Sequence, residues 1–227
     1  MAIDDRTTLL LGQNNIDKLS TFKVCVLGVG GVGSIIPLTL VRSGIKKIKI
    51  IDKDVVDRSN LNRQMAYESI DVGKNKVDVL KEKLLKIRDD ISITTSVQNI
   101  GKEFDFSILD DCDYVFDCID DIQAKIEIIR YCQNKKIKLI VSLGMGNKLD
   151  PSKLIVTTLN KTTIDPLAKK MRYELKKNSV DISNINVVFS TETPIIKSRV
   201  ISSIAFVPNA AGLLMVSYAI RDLLKLL

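Results

Sequence analysis

Short apolar runs and amphipathic segments alternate along the first two thirds of the chain. Five apolar or alternating runs predict β-strands, at 23–27, 47–51, 93–97, 114–118 and 139–143. Three segments with apolar residues at helical spacing predict helices, at 34–43, 74–88 and 122–132. Strand–helix–strand repeats with apolar strands are typical of an α/β fold, here a Rossmann-like, doubly wound and mostly parallel sheet.

The pattern becomes irregular after Gly144. Further elements are predicted as strands at 154–158 and 186–190, a short basic helix at 166–177 and a closing helix at 209–227. Asparagine is a preferred capping residue, so we expect Asn209 to cap the closing helix. No repeat or linker divides the chain, which predicts a single domain over 1–227, with a doubly wound half at 1–150 and a basic extension at 151–227.

The amino-acid composition argues against several kinds of catalytic and metal-binding site. The 227 residues include no histidine and no tryptophan, so Ser-His-Asp triads, Cys-His pairs and histidine-ligated metals are excluded. The four cysteines form no CxxC pair, which argues against structural zinc and predicts reduced thiols in a cytoplasmic protein. The start is acidic rather than basic, which predicts no secretory signal. Pro208 breaks the uncharged run 200–220, so a buried strand and helix are expected there rather than a membrane span.

Positive charge is concentrated in the last third of the chain. The net charge is +7, of which residues 1–150 carry +1 and residues 151–227 carry +6. On the predicted helix at 166–177, Lys169, Arg172 and Lys176 share one face, and Lys170 and Lys177 lie beside them. This pattern favours contact with a phosphate backbone, and a merely solvated helix face is the alternative.

A glycine-rich sequence connects the first predicted strand to the first helix. Gly28, Gly30 and Gly33 satisfy GxGxxG, a pattern that lets the backbone approach a phosphate at a helix N-terminus. Asp52 ends the second strand 19 residues after Gly33, a spacing that suits a hydrogen bond to a ribose. The sequence therefore predicts a nucleotide site, and a tight turn with close helix–strand packing is the alternative.

Polar clusters follow the same strand ends. One cluster holds Asp52 and Asp54, followed by Asn60, Arg63 and Gln64, with a solvated loop as the alternative. Lys76 lies in the first turn of the helix predicted at 74–88, where a cation is unfavourable unless an anion lies nearby, and an ordinary surface lysine is the alternative.

A further acidic cluster ends the fourth predicted strand. It holds Asp117, Asp120 and Asp121, and carboxylates beside a triphosphate suit Mg²⁺, with helix capping by Asp120 or Asp121 as the alternative. Cys118 lies among them without a histidine to activate it, so we interpret it as a small buried side chain.

These motifs, in this order and spacing, resemble the ThiF/MoeB family of ATP-dependent adenylating enzymes, which are related to ubiquitin-activating enzymes. The resemblance covers roughly residues 6–145 and implies ATP and Mg²⁺ as cofactors. It implies a ribose contact for Asp54 and contact with the reacting α-phosphate for Lys76. It also implies that Asp120 binds Mg²⁺ and that Arg6 reaches the ATP site of the other subunit of a homodimer. The remaining nucleotide contacts fall to Gly28, Gly30, Gly31, Gly33, Asp52, Asn60, Arg63 and Gln64, with Arg63, Lys76 and Asp120 as the catalytic set.

The second half resembles the branch of this family that acts on threonylcarbamoyladenosine in tRNA. The similar segments are 144–151, 165–172, 188–192 and 203–208. The resemblance implies ATP-dependent cyclisation through an acyl-adenylate, with 1–150 as the nucleotide-binding half and 151–227 as the tRNA-binding half. It implies a tRNA anticodon loop as partner, no DNA, a homodimer, and a sulfur-transfer or cysteine desulfurase partner. The apolar run at 200–220 is expected to bury part of the dimer interface.

Two alternatives differ in reaction. The first is an adenylyltransferase that activates the C-terminus of a ubiquitin-like sulfur carrier. The missing CxxC pairs and the absence of any cysteine at 150–200 disfavour it. The second is a nicotinamide dehydrogenase, which GxGxxG and Asp52 suggest but which the absence of histidine disfavours.

Overall fold

A computed structural model describes residues 3–196 and 201–227. Within these ranges seven strands form one sheet in the order β3-β2-β1-β4-β5-β7-β6. All neighbouring strands run parallel except β6, which is antiparallel to β7. The strands are β1 Lys23–Leu27, β2 Lys47–Ile51, β3 Ser92–Ser96, β4 Tyr114–Asp117, β5 Lys138–Ser142, β6 Leu154–Thr158 and β7 Asn186–Ser190.

Helices cover both faces of this sheet. They are α1 Asp5–Leu11, α2 Gln13–Thr21, α3 Ile35–Arg42, α4 Lys76–Ile87, α5 Ile122–Lys135, α6 Pro166–Lys177 and α7 Phe206–Leu223. Side chains of α2, α3, α4 and α7 share the largest apolar core, whereas α5 and α6 bury their apolar faces in two smaller clusters. Both halves of the chain contribute strands to the one sheet.

The strand order places a crevice at the centre of the sheet. The chain moves outward from β1 through β2 to β3, then returns to β4 on the other side of β1. Ligands of doubly wound sheets bind where the strand order reverses, at the carboxyl ends of the strands. That position here lies beyond Leu27 and Asp117.

The predicted fold class is confirmed, and several boundaries need correction. The fourth helix begins at Lys76 rather than at residue 74. The closing helix begins at Phe206, so the predicted N-cap at Asn209 is wrong and that residue lies inside the helix. Helices α1 and α2 were not predicted, because α1 buries no residue and α2 buries only Ile16 and Leu19, which leaves little apolar periodicity.

The predicted interface run 200–220 maps mostly to α7, and Val200 lies outside the described residues. In the part of the chain that the structure describes, no helix combines the length and the apolar character that a membrane crossing requires.

Candidate active site

A cavity of about 330 Å³ opens at the carboxyl ends of β1, β2 and β4. The lining includes ten residues that the sequence singled out: Gly28, Gly30, Gly31, Asp52, Asp54, Asn60, Arg63, Gln64, Lys76 and Asp120. They come from three loops and from the start of α4, which only the sheet topology brings to one edge. The volume and the polar lining suit a nucleotide-sized ligand.

The glycine-rich loop closes tightly over the end of β1. Gly28 has a φ of +82°, and a Cβ there would lie 3.1 Å from the backbone of Cys118. Gly33 does not line the cavity; a Cβ at this position would lie 1.9 Å from the carbonyl oxygen of Gly28. These two glycines therefore allow close backbone packing, while a Cβ at Gly30 would make only an ordinary 3.8 Å contact with Nε2 of Gln64.

Asp52 holds this loop in place. One carboxylate oxygen accepts a 2.6 Å hydrogen bond from the backbone N–H of Val29, and the other accepts a 2.8 Å bond from the N–H of Asp54. Tyr67 donates to the carbonyl of Val29 at 2.9 Å, and burial raises the pKa of its hydroxyl. Both carboxylate oxygens of Asp52 thus accept hydrogen bonds from the backbone. Asp54 presents the more exposed carboxylate to the cavity.

Lys76 is a buried cation at the start of α4. Only 4% of the residue is exposed, so the surface-lysine alternative is wrong. Its Nζ lies 3.1 Å from Oδ2 of Asp54, and its backbone N–H donates to the carbonyl of Asp54. Because Asp54 is its one described ion-pair partner, a phosphate oxygen in the cavity adds a second anionic partner to a cation already desolvated.

The segment with Arg63 and Gln64 is anchored to α7. Asn209 donates from Nδ2 to the carbonyl of Arg63 at 2.8 Å, which is the role of this buried residue in place of capping. The Arg63 guanidinium donates to the carbonyl of Ser59 at 2.8 Å and lines the cavity. Gln64 is 4% exposed, and its Oε1 has no hydrogen-bond partner within the described chain. An unpaired buried polar atom at a cavity wall is a feature that a bound ligand resolves.

The loop after β4 carries two carboxylates, Asp120 and Asp121, with different roles. Asp121 caps α5 by accepting a 2.7 Å bond from the N–H of Ala124. Asp120 lines the cavity without a hydrogen bond or ion pair to any described residue. Cys118 lies beside them, and burial raises the pKa of its thiol, which keeps it protonated at neutral pH.

A fully buried ion pair supports this loop from below. Lys125 of α5 donates to Oδ1 of Asp117 at 2.9 Å, and neither side chain is exposed. The same oxygen accepts the N–H of Ile119 at 3.2 Å, so the pair fixes the first turn of the loop that carries Asp120. Burial raises the pKa of Asp117, and the Lys125 ammonium opposes that rise.

The fit of Mg²⁺ to this site follows from Asp120. Mg²⁺ is commonly held by one or two carboxylates together with substrate phosphates, so one free carboxylate at the cavity wall suits it. Within residues 3–196 and 201–227, no three acidic or cysteine side chains converge as a metal cluster.

Some lining residues were not predicted, namely Lys53, Gln98, Asn99, Ile100 and Ile119. Gln98, Asn99 and Ile100 follow β3, and a polar pair at the carboxyl end of a neighbouring parallel strand is the signal that could have found them. Two predicted site residues, Gly33 and Arg6, do not line the cavity. Arg6 is an exposed residue of α1 and does not line the cavity of its own chain.

The structure corrects the predicted basic stripe at Arg172. Its guanidinium donates to the carbonyl of Thr162 at 3.0 Å and also to the hydroxyl of that threonine, so it is engaged within the chain. Lys169, Lys170, Lys176 and Lys177 remain exposed.

Comparison with known proteins agrees with this geometry. The model of the ThiF family matches residues 5–226. The tRNA threonylcarbamoyladenosine dehydratase of Bacillus subtilis is 35% identical, covering 97% of this chain and 94% of the relative. The crystal structure of the E. coli tRNA N6-threonylcarbamoyladenosine dehydratase TcdA in complex with AMP superposes with a TM-score of 0.91 at 30% identity, over 99% of this chain and 98% of that chain. The same protein in complex with ATP gives a TM-score of 0.88.

A relative with the alternative reaction matches less of the chain. The adenylyltransferase and sulfurtransferase UBA4 of Kluyveromyces lactis is 38% identical, but the match covers 54% of this chain and 27% of the relative.

Proposed function

The chain belongs to the ThiF family, and from that premise we propose that it dehydrates threonylcarbamoyladenosine in tRNA at the expense of ATP. The observation that carries the proposal is the cavity in which Lys76, Arg63 and the free carboxylate of Asp120 meet the glycine-rich loop. The proposal is also supported by the similarity to dehydratases along nearly the whole chain.

The chemistry has two steps. A carboxylate oxygen of the threonine moiety attacks the α-phosphorus of ATP, and the bond to pyrophosphate breaks. A neighbouring atom of the urea then attacks the activated carbonyl carbon. The carboxylate oxygen leaves with AMP, the attacking group loses a proton, and the net change in the nucleoside is the loss of one water. Because the second step is intramolecular, with effective molarities of about 10⁵–10⁸ M, no enzyme nucleophile is required.

The side chains act by position and charge. Lys76 stabilises charge that develops on the α-phosphate, and the Arg63 guanidinium neutralises the departing pyrophosphate. Asp54 binds the ribose, while Gln98 and Asn99, which line the far wall, contact the base. Asp120 holds Mg²⁺, which supplies charge neutralisation on the phosphates when bound.

The second subunit belongs to the proposal. Arg6 is exposed and outside its own cavity, and α1 exposes Leu9 and Leu10 by 81% and 82%. A second copy that covers these leucines and receives Arg6 at its ATP site accounts for both features.

The remaining predictions concern partners and location. The buried or half-buried free cysteines support a reducing, cytoplasmic compartment. The anticodon loop is the part of the tRNA that we propose as substrate. The sulfur-transfer or cysteine desulfurase partner stays a prediction.

Mass spectrometry of tRNA nucleosides tests the proposal. The purified protein, ATP and Mg²⁺ are incubated with tRNA that bears threonylcarbamoyladenosine, and the modified nucleoside should lose the mass of one water while AMP and pyrophosphate form. The matched control is Asp120→Asn, for which the product should be nearly absent. An unchanged nucleoside with wild-type protein, together with ATP–pyrophosphate exchange that depends on a ubiquitin-like sulfur carrier, would establish the alternative reaction instead.

A further inference from the structure

Four lysines and one tyrosine form the outer face of α6. At about 100° per residue, Lys169, Lys170, Tyr173, Lys176 and Lys177 fall within an arc of about 120°. All five are exposed. Ala168, Met171 and Leu175 lie on the opposite side of the helix, fully buried against the α5 cluster. We call the five exposed residues the α6 surface.

Tyr173 lies at the centre of the α6 surface. The four lysines occupy the positions i−4, i−3, i+3 and i+4 relative to it, which are its neighbours on a helix. The side chain is 66% exposed, more than any other aromatic residue in the described chain. An exposed ring with cations on both sides offers one ligand a stacking surface together with positive charge.

None of these four lysines forms an ion pair in the described part of the chain, whereas many other lysines do. Arg172 and Glu174 border the arc, and Arg172 is engaged by Thr162. The positive charge of the α6 surface is therefore available to an external anion.

The helix starts at the edge of the sheet on which the cavity opens. Its N-cap, Asp165, lies close to Gly144 directly beyond β5, and Lys148 bridges the two by donating to the Gly144 carbonyl and lying 3.8 Å from the Asp165 carboxylate. From there α6 extends about 18 Å across the molecule. An RNA loop that enters the cavity edge can continue along this helix.

We propose that the α6 surface binds the tRNA substrate, with the lysines on successive phosphates and Tyr173 stacked on an unpaired base. The inference rests on the proposed function and specifies which surface of the protein contacts the tRNA. RNA fits better than an acidic protein, because single-stranded RNA offers both phosphates for the lysines and a base for the ring.

Binding of fluorescently labelled substrate tRNA, measured between about 50 and 200 mM salt, tests the proposal. The variant Lys169→Gln/Lys176→Gln should bind tRNA at least tenfold more weakly, and the slope of log affinity against log salt should fall by about 0.7–0.9 per lost contact. The matched control is Lys81→Gln/Lys86→Gln, which removes two exposed charges from α4 on the other face of the sheet. The control should keep the wild-type slope.

The tyrosine is tested separately. Tyr173→Leu should weaken binding by about fivefold or more with an unchanged salt slope, since stacking is not a counterion effect. Tyr173→Phe, which keeps the ring, should restore the affinity. In turnover, both Lys169→Gln/Lys176→Gln and Tyr173→Leu should raise the KM for tRNA more than they lower kcat.

The outcomes separate this inference from the proposed function. If wild-type protein dehydrates tRNA but the α6 variants bind it with unchanged affinity and slope, the footprint is wrong and the function stands. If the α4 control weakens binding to the same extent, only general charge attraction is present and the α6 surface is rejected. If wild-type protein neither binds nor modifies tRNA, the proposed function itself fails. A thermal shift with ATP should be the same for all variants, which shows that they are folded.

Discussion

Lys76 illustrates how single residues connect the fold to the chemistry. It occupies a helix start, where a cation is unfavourable, and it is buried with Asp54 as its described ionic partner. If it stabilises charge on the α-phosphate, Lys76→Met should lower kcat by about 10²–10³-fold, the usual loss for one preorganised donor. The measurement is ATP-dependent release of pyrophosphate in the presence of substrate tRNA.

Lys74 provides the matched control for this substitution. It lies two residues earlier, its side chain is 52% exposed, and it does not line the cavity. Lys74→Met removes the same charge and should leave kcat within about twofold of wild type. An equal loss in both variants would show that the effect comes from net charge and not from contact.

The buried ion pair of Asp117 and Lys125 leads to a second prediction at the residue scale, which concerns stability. Removal of one partner leaves an uncompensated buried charge, so Lys125→Met should lower the free energy of unfolding by about 3–5 kcal/mol. Asp117→Asn/Lys125→Met should recover part of that loss. Urea unfolding measures both, with Arg130→Met as the control, because the Arg130–Glu127 pair on the same helix is exposed and contributes about 0–1 kcal/mol. A small loss in Lys125→Met would contradict the prediction.

Between elements, α3 and α7 pack at the closest approach that glycine allows. A Cβ at Gly212 would lie 2.4 Å from the carbonyl oxygen of Val32 and 2.5 Å from Ile35. Gly212→Ala gains about 1 kcal/mol in helix propensity, but overpacking costs about 1–3 kcal/mol. The clash is with a backbone oxygen, which cannot move away by a change of rotamer. The melting temperature should therefore fall. Ser217→Ala, on the exposed side of α7, is the control, and a more stable Gly212→Ala would refute the packing argument.

Asp111 joins β1 and β2 to the turn before β4 through Lys23 and Lys49. Burial alone would raise the pKa of Asp111, but the hydrogen bonds from these lysines lower it to about 2. A carboxylate with a lowered pKa stabilises the fold above its ordinary pKa near 3.8. That contribution decreases as the pH falls below about 4 and is fully lost only below the folded-state pKa of about 2.

Urea unfolding at several pH values tests this linkage. Asp111→Asn should be less stable than wild type by at most about 1 kcal/mol at pH 6, because the side chain is half exposed. The difference should shrink as the pH falls towards 2 and vanish only below that pH. Asp89→Asn removes an exposed carboxylate of the same charge and is the matched control. A difference of constant size between pH 6 and pH 2 would rule out the ionic origin.

On the scale of the whole molecule, the proposed site between two subunits leads to a prediction that a monomeric enzyme would not meet. Arg6→Ala and Asp120→Asn should each abolish most of the activity. When the two variants are mixed and allowed to exchange subunits, a heterodimer contains one site with both substitutions and one site with neither. Activity should then return to roughly a quarter of wild type. Inactive mixtures whose subunits do exchange would place Arg6 outside the shared site.

The amino-acid sequence by itself determined the sheet and the main candidate residues. The β-strands were predictable because strands buried on both faces are continuously apolar, as at Lys23–Leu27. The glycine motif was predictable because a Cβ at Gly33 would lie 1.9 Å from the carbonyl oxygen of Gly28, and only glycine avoids that clash. Asp54, Lys76 and Asp120 were recognisable because their order and spacing along the chain carry the family resemblance.

Only the tertiary structure decided which partner each side chain has. Asn209 is a good capping residue by local chemistry, yet the helix starts earlier, where Val207 and Pro208 are buried. The Asn209 amide donates to the Arg63 carbonyl instead. By helical spacing, Arg172 shares a face with Lys169. Its guanidinium donates a hydrogen bond to the carbonyl of Thr162, which lies in a loop outside the helix. Such contacts join residues that lie far apart in the chain or beyond the regular element, and local periodicity contains no information about them.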